Sequence, residues 1–152
     1  MDRRRIYVDT SVLGGCFDPE FAPWSKGLVE DFRQGVFQPV LSGVTAEEIS
    51  RAPEQVQGLH EELTSLGAEM VTTSPEALLL LAAYERRGIL GARYRNDLLH
   101  LALATVAAVD ALVSWNFRHI VRMEKIQLFN EVNVKLGYHA LAIHSTARGH
   151  HV

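Results

Sequence analysis

Short apolar runs and longer stripes of apolar residues at helical spacing take turns along this chain. Residues 5–8 are mostly apolar and closed by Asp9, the pattern of a first buried strand. Gly14, Gly15 and Pro19 break the next segment, and Trp24, Leu28, Val29 and Phe32 then recur at helical spacing over residues 24–35. Residues 36–41 read as a second strand, turned by Ser42-Gly43 into a helix that Pro53 ends or kinks. The helical pattern resumes over 56–66, with Leu59, Leu63 and Leu66 on one face. Residues 68–72 predict a third strand, and Ser74-Pro75-Glu76 opens a helix that runs to about Arg87 and stops at Gly88. Residues 94–109 form a helix apolar almost all round, so it should be buried. A fourth strand at 111–115, short helices at 117–123 and 129–136, and a fifth strand at 139–143 complete the pattern.

The order β-α-β-α-α-β-α-α-β-α-β predicts an α/β fold: one three-layer α/β/α domain with a mostly parallel sheet of about five strands. The domain is expected to span residues 1–146, with 147–152 a disordered tail. No repeat or linker interrupts it.

Composition narrows the function classes. The chain has 152 residues, enough for one domain with a sizeable core. Its hydrophobic fraction of 47% and charged fraction of 22% are those of a globular protein. The net charge of -3 excludes a global basic field, so any affinity for nucleic acid must come from a local patch. One cysteine, Cys16, excludes an intrachain disulfide. No signal peptide and no membrane-spanning run is visible, so a cytoplasmic location is the expectation.

Three acids stand where chemistry could gather. Asp9 ends the first strand, Glu47-Glu48 lies soon after the second, and Asp97 heads the long apolar helix. In an open α/β sheet, ligands collect outside the carboxyl ends of the strands. Carboxylates meeting there suit a hard divalent cation of the kind that serves phosphoryl transfer. Each acid also has a plainer reading. Asp9 suits a helix N-cap; Glu48 completes Thr45-x-x-Glu48, a capping box; Asp97 is a favourable charge at a helix N-terminus. Glu47 reads as a solvated surface acid, and His100, one turn beyond Asp97, as a core histidine. Other site types are poorly served. Ser11 stands where a haloacid-dehalogenase-like enzyme needs a second acid, and the acidic pair and lysine of a receiver are missing. Gly14-Gly15 lacks dinucleotide-binding spacing, and Cys16 has no evident base partner.

Four motifs in order (Tyr-Val-Asp-Thr-Ser-Val-Leu, Thr-Ala-Glu-Glu-Ile, Asn-Asp-Leu-Leu-His-Leu-Ala-Leu-Ala and Asp-Ala-Leu-Val-Ser-Trp-Asn) resemble the PIN domain. Within it, the chain is similar to the VapC-like toxins of type II toxin–antitoxin pairs. The resemblance runs from Ile6 to about Thr146 and takes in Phe129-Asn130-Glu131-Val132-Asn133. It implies a metal-dependent ribonuclease that binds Mg²⁺ or Mn²⁺ with Asp9, Glu48 and Asp97, with Thr10 and Ser11 as supporting hydroxyls. It also implies a homodimer, inhibited by a small antitoxin that places a side chain in the acidic site. At the fourth position, where many relatives carry aspartate, this chain has Asn116, with Arg118 two residues on. An asparagine oxygen can ligate a hard cation but brings no charge, which weakens the case for a second ion. Arg93 and Arg95, with Tyr94 between them, and Arg118 beyond Asn116, are the expected RNA contacts. Arg86 and Arg87 are weaker candidates, and Arg3-Arg4-Arg5 is expected to be solvated. The rival reading is a PIN-like module, disabled at Asn116, that binds RNA or a protein without cleaving.

Overall fold

A computed structural model describes residues 3–145; the expected tail at 147–152 lies outside the described residues. Five strands form one sheet: β1 (Arg4–Val8), β2 (Phe37–Ser42), β3 (Glu69–Val71), β4 (Ala111–Val113) and β5 (Ile143–His144), in the order β3-β2-β1-β4-β5. Every neighbouring pair is parallel. Parallel sheets are buried on both faces, which is why the central strands read as unbroken apolar runs. Tyr7, Val40 and Leu112 face one core with α5 (Pro75–Arg87), α6 (Arg95–Val106) and α7 (Met123–Lys135). Ile6, Val8, Leu41 and Ala111 face a second core with α1 (Thr10–Gly15), α2 (Ala22–Arg33) and α4 (Glu54–Ser65). The short α3 (Gly43–Ile49) crosses the carboxyl edge, giving Val44 to the first core and Ile49 to the second.

The expected three-layer α/β/α architecture is therefore the one observed. From β1 the chain first moves outward through β2 to β3, then returns to β4 on the other side of β1. This places a topological switch point between β1 and β4, where open sheets part and leave a crevice at their carboxyl ends.

Local chemistry accounts for most boundaries. Ser74 Oγ accepts the Ala77 N–H at 3.1 Å, Pro75 occupies the first turn of α5, and Gly88 ends it at φ 72°. Among the boundaries that differ from the sequence expectation, three have a clear local cause or consequence. Residues 117–122 hold one tight turn and no helix, because both the carbonyl and the side chain of Asn116 take up its N–H groups. The helix expected at 129–136 starts at Met123, once Arg122 has returned to extended backbone. The fifth strand, expected at 139–143, is confined to Ile143–His144. Asn130 explains this: its side chain donates to the Leu141 carbonyl at 3.1 Å and accepts the Leu141 N–H at 2.7 Å.

Arg5 corrects the expectation of a solvated arginine run. Its guanidinium pairs with Glu69 and donates to the Ala107 and Ala108 carbonyls just beyond α6. It thus ties the amino edge of the sheet to a helix end. Asp110 lies at that same edge, accepting the Arg5 backbone N–H at 2.7 Å, and is remote from the carboxyl-end crevice.

Candidate active site

Asp9 follows β1 directly and is 4% exposed. Its side chain makes no cap for α1; Oδ1 accepts from Ser11 at 2.5 Å and Oδ2 from Ser114 at 2.6 Å. Both partners are uncharged. Burial pushes the Asp9 carboxyl above the ordinary carboxylate range, opposed by the nearby His100 ring and the two hydroxyls. This is a desolvated acid whose partners only partly repay the loss of water, the setting in which a cation is most favourable.

Glu48 is not the capping acid of its helix. The N-cap of α3 is Ser42, whose Oγ accepts the Thr45 N–H, so the helix begins three residues before the sequence motif suggests. Glu48 is free to turn inward. Its Oε1 accepts from Thr10 Oγ1 at 2.7 Å and meets His100 Nε2 at 2.8 Å. Burial pushes the Glu48 carboxyl up, but hydrogen bonds from His100, Thr10 and Asn96 outweigh it and hold the group below its usual range. Glu47 points away to an exposed contact with Arg51, as expected of a solvated acid.

Asp97 lies in the first turn of α6, with Oδ2 3.0 Å from His119 Nδ1. The His119 ring packs against Tyr94 at 3.9 Å between centroids, and Arg93 sits 5.4 Å from the Tyr94 centroid. The side-chain oxygen of Asn116 accepts the His119 backbone N–H at 3.0 Å, and Asn116 N–H donates to Ser114 Oγ at 2.9 Å. Asn116 therefore shapes the turn that brings His119 to Asp97.

These contacts close a ring around the crevice. From Asp9 it runs through Ser114, Asn116 and His119 to Asp97. From Asn96, beside Asp97, it returns through Glu48 to Thr10, the residue after Asp9. Asp9, Glu48, Asp97, Asn116, Thr10 and Ser11, all expected from sequence, lie on it or directly beside it. Ser114, His119 and Asn96 were not anticipated. Ser114 could have been inferred from its place after β4, opposite Asp9 in a parallel pair.

The peripheral arginines differ among themselves. Arg87, Arg93, Arg95 and Arg118 are all exposed; Arg95 is 3.3 Å from Glu85 and Arg87 is 3.3 Å from Glu131. Arg93 is tied through Tyr94 and His119 to the acidic ring.

Among the described residues no group of three or more histidine, cysteine, aspartate or glutamate side chains is arranged, as it stands, to hold a metal ion. Each acid instead has its own hydroxyl or histidine partner. The donor set still fits a hard cation in kind. It is all carboxylate, each oxygen offers two lone pairs, and Asp9 is buried without a charged partner in hydrogen-bond contact.

No protein-family model matches the chain, and no curated protein matches it in sequence. Among solved structures it is similar to a chain of VapBC2 from Rickettsia felis, crystallised bound to a DNA fragment from their promoter. The match has a TM-score of 0.58 at 15% identity and covers 93% of this chain and 98% of that one. The fold is PIN-like. In this PIN-like fold the ring of Asp9, Glu48 and Asp97 occupies the carboxyl edge of the sheet at its switch point. Among the described residues, no helix is long and apolar enough to cross a membrane.

Proposed function

We propose that this chain is a metal-dependent endoribonuclease, a hydrolase of RNA phosphodiester bonds, acting in the cytoplasm as the toxin of a toxin–antitoxin pair. The observation that carries this reading is the hydrogen-bonded ring. It gathers acids from just after β1 and from α3 and α6 at one edge, in a fold similar to that of a VapBC2 chain.

Asp9, Glu48 and Asp97 would hold one Mg²⁺ or Mn²⁺, with Asn116 as a neutral neighbour. When bound, such an ion supplies Lewis-acid activation of water and offsets charge on the scissile phosphate. The chain's own residues prepare that setting. Ser11 and Ser114 fix both oxygens of Asp9, while Thr10 fixes Glu48. Arg93, Tyr94 and Arg118 would receive the RNA backbone and a base, with Arg95 a lesser contact because Glu85 already pairs with it. The partners proposed are RNA, a second copy of the chain, and a small antitoxin whose cationic side chain would compete for the acidic ring.

A second reading has one observation in its favour. Asn116 brings no charge, and its side-chain oxygen is already engaged by His119. That favours a PIN-like module that binds RNA or a protein without cleaving it.

Incubation of a mixed panel of structured and single-stranded RNAs with Mn²⁺, Mg²⁺ or EDTA separates the two. The nuclease reading predicts cutting that needs metal and disappears in Asp97→Asn. Failure of the folded, Mn²⁺-binding protein to cut any RNA would overturn it in favour of the binding module.

A further inference from the structure

The nuclease reading makes no use of His100, although it is 2% exposed and lies between two polar groups. Its Nδ1 is 2.6 Å from the Tyr7 hydroxyl, and its Nε2 is 2.8 Å from Glu48 Oε1. The direction of these bonds follows from the groups themselves. An ionised carboxylate can only accept, so the proton between His100 and Glu48 sits on Nε2. A hydroxyl can donate, so Tyr7 can satisfy Nδ1 by giving it a hydrogen bond. The Tyr7 oxygen in turn lies 2.7 Å from Ser42 Oγ, and Ser42 accepts the Thr45 N–H at the start of α3.

The series therefore runs from the backbone of α3 through Ser42, Tyr7 and His100 to the acid that α3 itself carries. Tyr7 is a fully buried residue of the central strand, and the His100 ring meets it edge-on at 5.7 Å. A ring held in this way has little freedom to turn. Thr10 engages the same oxygen of Glu48.

We propose that His100 is a positioning residue, held in one tautomer by Tyr7, which fixes the Glu48 carboxylate by Oε1. This rests on the reading of Glu48 as a ligand for a hard cation. Groups that orient ligands in this way commonly change metal affinity about 10- to 100-fold when removed.

Three variants and two readouts test it. Mn²⁺ titration followed by electron paramagnetic resonance should show affinity about 10- to 100-fold weaker in His100→Leu. His100→Gln, which keeps an N–H donor within reach of Glu48, should recover most of the loss. Tyr7→Phe should weaken Mn²⁺ binding in the wild-type background and have no further effect in His100→Gln, because its influence passes through the imidazole. A Tyr7 that only packs would cost the same in both backgrounds. Nitrogen-15 imidazole shifts of the metal-free protein supply the independent readout, with Nε2 protonated and its signal moved by Glu48→Gln. An unprotonated Nε2, or equal Mn²⁺ affinity across wild type, His100→Leu and His100→Gln, would overturn the proposal. Wild type that binds no Mn²⁺ at all, yet shows the Nε2–H coupled to Glu48, would overturn the nuclease reading and leave the positioning contact standing.

Discussion

Ser114 Oγ lies 2.6 Å from Asp9 Oδ2, although 105 residues separate the two in sequence. The parallel register of Val8 with Val113 sets the contact, since each strand ends one residue before its member of the pair. The two central strands thus build the floor of the site. Two hydroxyls and the nearby His100 ring only partly offset the burial of Asp9, which carries a cost at neutral pH.

That cost has a definite sign. Asp9 has a folded-state pKa above its ordinary value of 3.8, so between those two values the native state holds more protons than the unfolded chain. Stability falls as pH rises through that window. Asp9→Asn is therefore expected to melt at a higher temperature than wild type at about pH 7 without metal. The difference should shrink below about pH 4, where both side chains are neutral. Added Mn²⁺ should raise the melting temperature of wild type and leave that of the variant in place. Circular dichroism melts across this pH range, with and without Mn²⁺, check both expectations.

Beneath the site, Gly15 leaves room for the ring of Trp115. A Cβ at Gly15 would fall 2.5 Å from Ser25 Oγ and 2.7 Å from Trp115 Nε1. Those two groups are hydrogen-bonded to each other at 2.6 Å, and the Trp115 backbone N–H donates to Ser11, the partner of Asp9. Gly15→Ala should thus act as overpacking, destabilising by about 1–3 kcal/mol. In a domain of this size that lowers the melting temperature by about 2–4 °C per kcal/mol. Thermal unfolding gives the answer directly.

Binding of RNA should depend unequally on the surrounding cations. Arg93→Gln and Arg118→Gln are each expected to weaken RNA binding and reduce its salt-dependence slope by about one. Arg95→Gln should do less, because Glu85 already offsets its charge. Tyr94→Ala should cost about 1–3 kcal/mol of RNA affinity if a base stacks on the ring. Fluorescence anisotropy with single-stranded RNA, repeated over a series of salt concentrations in the Asp97→Asn background, measures all four.

The fold was largely legible because its determinants are local. Buried strands bounded by Gly, Pro and acids announce themselves, and the Ser74-Pro75 start and Gly88 stop of α5 were read from three residues. The site was legible in part. Asp9 and Asp97 stand at a strand end and a helix start, where chain order alone suggests a role. Glu48 was ambiguous because Thr45-x-x-Glu48 imitates a capping box, and only the true cap at Ser42 releases its side chain. His119 and Ser114 were not found, since their contacts with Asp97 and Asp9 depend on the Asn116 turn and on strand register. The shortened fifth strand depends likewise on Asn130, a side chain from another element.

The central claim is that acids from three elements serve one hard-cation site. Mn²⁺ titrated against the wild-type protein and against Asp9→Asn, Glu48→Gln and Asp97→Asn tests it most directly. One ion per chain in wild type, bound much more weakly in each single variant with the fold intact, is the predicted result. Wild-type affinity retained in all three variants would contradict it.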